Sequence, residues 1–455
     1  MGLYPYQEKV KTLLHAGRSV VLQAPTGFGK TRAALAPFIE AFFDFPPGAF
    51  PRQCLYAVPM RVLATQFEHE YRHLAESYKR RFDRRLDVRI QTGERPEDPE
   101  LMGDLVFATL DQVLSSALGV PYSLSLGKAN VNVGAVLGSY LVLDEFHLFP
   151  PQAQQATLQL LRLFGRLSPF ILMTATFSEA MLREIATLLG AEPVLVSAEE
   201  VAQIETRQGE CPRKTRRFFR RERTLQAEDV LETHARRSLA VCNTVERALE
   251  LYRTLVDKGC RPVPVDHPVL VPLYDRLRGA SSSDEHRRLL DEAVHVLRTE
   301  MAEAPEDTNW IMLLHSRFER PHRQVKEAFL RAECGPQDAE KGQCWRIPRL
   351  LVVATQVVEV GLDITGQALH TELAPAASVI QRAGRCARYP GEQGQVYVYQ
   401  VPERNDGKPN YAPYQTRVEE TICERTWQAL GEREGQVLDF AGEQAVVNYA
   451  HQEAD

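Results

Sequence analysis

Membrane-spanning and secretory signals are the first things missing from this 455-residue sequence. No apolar run approaches the roughly 18 to 20 residues that a bilayer span needs, and Met1 to Tyr6 leads into polar sequence without the apolar core of a signal peptide. The expected setting is the cytoplasm, with no membrane partner. Cysteine is sparse and dispersed, with eight residues and the closest pair at Cys334 and Cys344. That spacing excludes a CxxC metal clip and a disulfide framework, leaving reduced thiols of mostly structural use. No His-Asp dipeptide occurs and the twelve histidines are dispersed, so no cluster of the kind that holds the ions of a metal nuclease is legible. An excess of positive charge is also lacking. The 60 acidic side chains outnumber the 54 basic ones for a net charge of −6, which argues against a protein that coats nucleic acid but allows a locally basic groove.

What is present is the balance of a globular protein, 44% hydrophobic and 25% charged, long enough for two or three domains. Short apolar, β-branched runs alternate with helical patterns, which predicts an α/β fold of βαβ units around parallel sheets. In the first half, strands are predicted at Ser19 to Ala24, Gln53 to Val58, Val88 to Thr92, Asp104 to Leu110, Tyr140 to Leu143, Phe170 to Thr174 and Pro193 to Ser197. The stretch Glu199 to Pro212 turns polar without a clear period and marks the domain boundary. A second series follows, with strands at Leu239 to Cys242, Trp310 to Leu314, Leu350 to Ala354 and Gln395 to Tyr399, and helices at Val245 to Lys258, Arg320 to Glu333 and Ala377 to Arg388. The expected domains are therefore 1–205 and 206–400, the second carrying a helical insert at about 261–308 that neither sheet needs, with a short helical extension at 401–455. Positive charge concentrates in Tyr71 to Arg89 and in Arg213 to Arg223. Solvated faces and phosphate-tracking surfaces are both compatible with those runs.

The first chemical motif is Ala24-Pro25-Thr26-Gly27-Phe28-Gly29-Lys30-Thr31, between a predicted strand and a predicted helix. That is the setting of a phosphate loop. Gly27 and Gly29 let backbone N–H groups turn inward around phosphates, and the helix N-terminus adds partial positive charge. Lys30 would reach the β and γ phosphates of a nucleoside triphosphate, and the Thr31 hydroxyl would ligate Mg²⁺. The second motif, Asp144-Glu145-Phe146-His147, leaves the carboxyl end of an apolar strand, where open α/β sheets bind ligands. Asp144 would hold Mg²⁺ through its water shell and Glu145 would orient or deprotonate the attacking water.

These residues resemble those of the superfamily 2 helicases, and further motifs follow in that family's order. The resemblance implies two tandem RecA-like domains with an ATP cleft between them. Tyr4-Pro5-Tyr6-Gln7 resembles the adenine-reading element, with Gln7 on the purine edge and Tyr4 near it. Thr174-Ala175-Thr176 resembles the coupling motif. The run from Ala354 to Asp363, with Thr355, Gly361 and Asp363, resembles the motif that touches both nucleic acid and ATP. Gln381-Arg382-Ala383-Gly384-Arg385-Cys386-Ala387-Arg388 resembles the arginine-finger helix, and i, i+3 spacing is expected to put Arg385 and Arg388 on one helical face. Implied contacts to the nucleic-acid track are Arg61, Thr109, Asp111, Asn243, Thr244 and Thr355.

The run Leu313 to Phe318, with the Asp-Glu-Phe-His box and the Val379 to Arg385 helix, narrows the resemblance to the CRISPR-associated effector helicases of type I interference systems. That likeness implies ATP-driven movement on single-stranded DNA, 3′ to 5′, after recruitment by a surveillance complex. Members often carry an N-terminal HD nuclease domain. Here the adenine-reading element begins at Tyr4, so the nuclease is expected to be a separate subunit. Three other readings stay open: a DExH RNA helicase, a restriction or repair motor subunit, and an ATP-gated clamp that binds nucleic acid without unwinding it.

Overall fold

The computed structural model describes residues 2–25, 28–43, 50–82, 84–149, 151–207, 214–280, 283–337, 344–359, 361–404 and 406–452. The chain divides into two compact units, Met1–Gln208 and Gly209–Asp455.

In the first unit the strands β1 (Val20–Gln23), β2 (Cys54–Val58), β3 (Val88–Gln91), β4 (Leu105–Thr109), β5 (Tyr140–Leu143), β6 (Phe170–Thr174) and β7 (Glu192–Leu195) form a sheet in the order β3-β4-β2-β5-β6-β1-β7. Each of its strand pairings is parallel. Parallel strands are covered by helices on both faces, so apolar residues run continuously along them. The five residues of β6, Phe-Ile-Leu-Met-Thr, are all buried. This double burial is what makes such strands readable as unbroken apolar runs.

The second unit repeats the plan. Its strands are β8 (Thr215–Thr224), β9 (Arg237–Val241), β10 (Arg261–Pro262), β11 (Trp310–Leu314), β12 (Leu350–Ala354), β13 (Ala368–Glu372) and β14 (Gln393–Gln400), in the order β10-β11-β12-β9-β13-β14-β8 and again parallel. No helix among the described residues is long and apolar enough to cross a membrane.

The structure corrects several expectations. The polar stretch from Glu199 to Pro212 begins in regular structure: Ala198–Arg207 is a helix, and 208–212 lie outside the described residues. The helix buries Val201 and Ile204, a stripe too narrow to stand out in the sequence. The insert at 261–308 is needed by its sheet after all. Arg261–Pro262 is the edge strand β10, and the helices Val271–Gly279 and Ser283–Met301 bury Leu273, Leu277, Leu289, Ala293 and Leu297 in the unit's core. The helix expected over Ala377 to Arg388 stops early, at Ala376–Ala383. Arg385 and Arg388 therefore do not share a helical face. Gly384 closes the helix, Cys386 joins a β-bridge with Gly366, and Ala387 takes a left-handed φ of 45°.

The basic run after Arg213 is the outermost strand, β8, and much of its charge is used within the unit. Its outer edge accepts the segment 435–438 through Gly435 N to Phe218 O at 2.8 Å, Phe218 N to Gln436 O at 3.2 Å and Leu438 N to Arg216 O at 3.1 Å. Such cover removes an open strand edge, which would otherwise template aggregation. Arg216 pairs with Glu443, Arg217 donates to the Gly435 carbonyl, and Arg220 donates to the Trp427 carbonyl and lies over that ring. The helices Arg417–Gly431 and Phe440–His451 are thereby built into the second unit, with Ile422, Cys423, Leu430, Val446 and Val447 in its core.

Candidate active site

In the first unit, strand ends bring the motifs together. The phosphate loop follows β1 and precedes the helix Lys30–Phe43; the acidic box follows β5; Thr174 ends β6, the neighbour of both. Thr26 and Gly27 lie outside the described residues. Lys30 is 7% exposed, and its Nζ reaches the Ala24 carbonyl at 3.4 Å and Glu145 Oε1 at 3.4 Å. Glu145 sits at φ 51°, ψ 46°. A left-handed non-glycine residue costs about 1–2 kcal/mol, and the turn it makes swings the carboxylate back toward the loop. On its other side Glu145 Oε2 lies 3.7 Å from His147 Nδ1, which is also 3.0 Å from Thr174 Oγ1. Lys30, Glu145, His147 and Thr174 thus form one chain of contacts.

Asp144 is 3% exposed. Tyr56 Oη donates to its Oδ2 at 2.8 Å and the Glu145 amide to its Oδ1 at 2.9 Å. The Tyr56 hydroxyl also meets the Thr31 side chain. Burial, then repulsion from Glu145, pushes the Asp144 carboxyl up to about 7, against the pull of Lys30 and Tyr56. The buried Asp144 carboxyl and the Thr31 hydroxyl are oxygen donors of the kind that would suit Mg²⁺, with the half-buried Glu145 and the buried Lys30 beside them. His147 is the opposite case: burial pulls it down to about 4, so the ring is neutral at physiological pH.

Gln7 is buried against the phosphate loop. Its Nε2 donates to the Gly29 carbonyl at 3.0 Å and its Oε1 accepts from the Tyr4 amide at 2.9 Å. Gly29 has φ 80°, and a Cβ there would sit 2.8 Å from Gln7 Nε2. The positive φ favours glycine here, and a Cβ would displace the Gln7 amide. The neighbouring Tyr6, which sequence reasoning passed over, donates its hydroxyl to the Phe28 carbonyl, and burial pushes it up to about 12. Tyr56 was missed as well. Its only signal was a tyrosine within an otherwise aliphatic strand. Of the residues expected to contact nucleic acid in this unit, Arg61 opens the helix Arg61–Phe82 after β2, Thr109 ends β4, and Asp111 is exposed in the first turn of Leu110–Ala117.

In the second unit one predicted residue, Asn243, meets an arginine that was not singled out. Arg382 is fully buried and bonds Glu359 Oε1 at 2.8 Å, Asn243 Oδ1 at 2.9 Å and Thr371 Oγ1 at 2.8 Å. Asn243 is 3% exposed and also donates to the Leu373 carbonyl at 2.8 Å, while Thr244 caps the helix Val245–Asp257 and Thr355 is buried just past β12. Arg385 donates to the Val358 carbonyl at 2.8 Å and the Glu359 carbonyl at 2.6 Å. Arg388 pairs with Asp363, which follows Gly361 at φ 77°. Gln381 is in the last turn of Ala376–Ala383.

Two family models match in tandem. Residues 4–185 match the DEAD/DEAH box helicase model, and residues 286–391 match that for the C-terminal region of the CRISPR-associated nuclease/helicase Cas3. Residues 4–185 are thus similar to a DEAD/DEAH box helicase domain and residues 286–391 to the C-terminal region of Cas3. Over 95% of its length the chain is 27% identical to the CRISPR-associated endonuclease/helicase Cas3 of Thermus thermophilus, and it spans 51% of that protein. It is similar to the crystal structure of T. fusca Cas3-ATP with a TM-score of 0.69 and 19% identity, over 99% of this chain and 52% of that one. A chain of the CRISPR RNA-guided surveillance complex, pre-nicking, gives 0.62 and 21%, over 99% and 51%. At these identities the structural likeness speaks for the fold, two RecA-like domains. The chain spans about half the length of the curated relatives it matches.

Proposed function

We propose that this chain is the motor of a CRISPR type I interference system, moving 3′ to 5′ along single-stranded DNA by ATP hydrolysis in the cytoplasm. A surveillance complex delivers it to its track, and another chain supplies the nuclease. The observation that carries the reading is the contact chain of Lys30, Glu145, His147 and Thr174 beside the buried Asp144. It joins a phosphate-binding cation, a water-orienting acid and a metal-binding acid at the carboxyl end of one parallel sheet. Thr31 and Asp144 hold Mg²⁺, which neutralises charge on the β and γ phosphates when bound. Gln7 and Tyr4 hold the adenine, and Phe28 and Gly29 shape the loop.

Gln381, Arg385 and Arg388, with Gly361 and Asp363, face the triphosphate from the second unit once the two units close on ATP. Finger arginines are worth about 10³ to 10⁵ in rate in comparable NTPases, so hydrolysis waits on closure. Nucleic acid lying along Arg61, Thr109, Asp111, Asn243, Thr244 and Thr355 links closure to track binding. Most of these contacts would be to phosphates, with little sequence preference. The names of the Thermus thermophilus relative and of the surveillance complex support the CRISPR assignment.

The deciding experiment measures ATP turnover with single-stranded DNA, single-stranded RNA and duplex, alongside strand displacement with Mg²⁺, Mn²⁺ or Ni²⁺. Single-stranded DNA should stimulate most, strands should separate without being cut, and Lys30→Ala should abolish both activities while leaving the melting temperature intact. Preferential stimulation by RNA would make it an RNA helicase, and ATP-dependent binding without displacement a clamp. Metal-dependent cutting that survives Lys30→Ala would remove the need for a separate nuclease.

A further inference from the structure

The network around Arg382 extends beyond the residues of the helicase motifs. Its Nε donates to Glu359, its Nη1 to Asn243, Thr371 and the Glu372 carbonyl at 3.2 Å, and its Nη2 to the Tyr414 hydroxyl at 3.1 Å. All three guanidinium nitrogens are engaged, and the planar fork fixes their directions. Glu359 is held twice. Its carboxylate binds Arg382, and its carbonyl, with that of Val358, binds Arg385. The turn at Val358 and Glu359 is therefore gripped by both arginines. Tyr414 comes from outside the motifs, in the segment that leads into the helix Arg417–Gly431. Its hydroxyl also reaches Ser378 Oγ at 3.5 Å, on the helix that carries Arg382.

We propose that Arg382 is a positioning residue for Arg385, and that the Tyr414 hydroxyl holds it in place. In this arrangement Tyr414 orients Arg382, Arg382 orients Glu359, and the Glu359 turn sets the pose of Arg385. The C-terminal segment thereby governs how readily the finger arginine meets ATP. The proposal rests on the role given to Arg385 above. A buried ion pair with purely structural duty would instead stabilise the unit without touching turnover.

Tyr414→Phe removes the hydroxyl and keeps the ring. Turnover of ATP is measured in the full chain with saturating single-stranded DNA, at a temperature where every variant is fully folded. The expected result is a kcat reduced about three- to tenfold, tenfold being about 1.4 kcal/mol of barrier, with KM for ATP within about twofold. On an Arg385→Ala background the same change should have no further effect, because both act through one side chain. Arg382→Lys, which keeps the charge and loses the fork, should resemble Tyr414→Phe or be worse. A wild-type kcat for Tyr414→Phe, or an equal loss on the Arg385→Ala background, would overturn the proposal. If the wild-type chain turns over ATP no faster than Lys30→Ala, the reading of the ATP site fails first and this one falls with it. An active wild type with an indifferent Tyr414→Phe removes this proposal alone.

Discussion

Glu145→Gln keeps the shape of its side chain and removes one negative charge from a buried corner. Glu145 Oε1 lies 3.4 Å from Lys30 Nζ. The gross attraction at that distance is ~5 kcal/mol at an effective dielectric of about 20, and most of it is offset by taking both groups out of water. An incoming γ-phosphate competes with Glu145 for Lys30. Losing the carboxylate therefore frees the ammonium for phosphate and takes no phosphate ligand away. Repulsion from Glu145 is also the second cause, after burial, of the raised Asp144 carboxyl. In the variant Asp144 ionises at lower pH, which favours metal ligation at neutral pH. ATP affinity should accordingly hold within about threefold or tighten. What is lost is the orientation and deprotonation of water, worth about 10²- to 10⁴-fold in kcat. Phosphate release with saturating single-stranded DNA reads the rate, and displacement of a fluorescent ATP analogue reads the affinity. A kcat within tenfold of wild type would refute the reasoning. So would an affinity falling in step with kcat, because Glu145 would then be a ligand.

Tyr56→Phe leaves Asp144 Oδ2 without the 2.8 Å hydrogen bond it accepts. The expected loss is about 1–3 kcal/mol of stability, with a several-fold higher Mg²⁺ requirement for turnover; an unchanged Mg²⁺ titration would count against Asp144 as a metal ligand. Acid stability follows from two opposed shifts. Asp144, raised to about 7 from 3.8, binds a proton more readily when folded, so its contribution to stability falls as pH rises through that window. His147, lowered to about 4 from 6.5, resists protonation when folded, so its contribution falls as pH drops through its own window. Between about pH 4 and 6.5 the two largely cancel. Asp144→Asn should therefore steepen the fall in melting temperature toward acid, and melting curves of equal acid slope in variant and wild type would show that the pair does not titrate this way.

Much of the fold was legible because helices cover both faces of each sheet. The residues of β6, β11 and β12 are buried throughout, and such strands appear as unbroken apolar runs. The phosphate loop and acidic box were legible for a related reason. Their residues are adjacent in sequence, and the strand-to-helix turns that carry them are local. Strands β8 and β13 were not legible, because their polar residues find partners far along the chain. His370 in β13 lies between Thr233 Oγ1 and Tyr399 Oη, each at 2.8 Å. The arginines of β8 hold residues beyond 426.

The sequence by itself determined that two α/β halves would each carry helicase motifs at the ends of parallel strands, since periodicity and motif spacing are local properties. Only the tertiary structure decided what the charged groups of those motifs do. Arg385 and Arg388 leave the helix that their spacing implied, Glu145 turns back onto Lys30, and Arg382 disappears into the interior. The physical reason is that a buried charge is tolerated only where partners meet it. The partners of Arg382, among them Asn243 at 139 positions' separation, are brought to it by the folded sheet and by no feature of the neighbouring sequence.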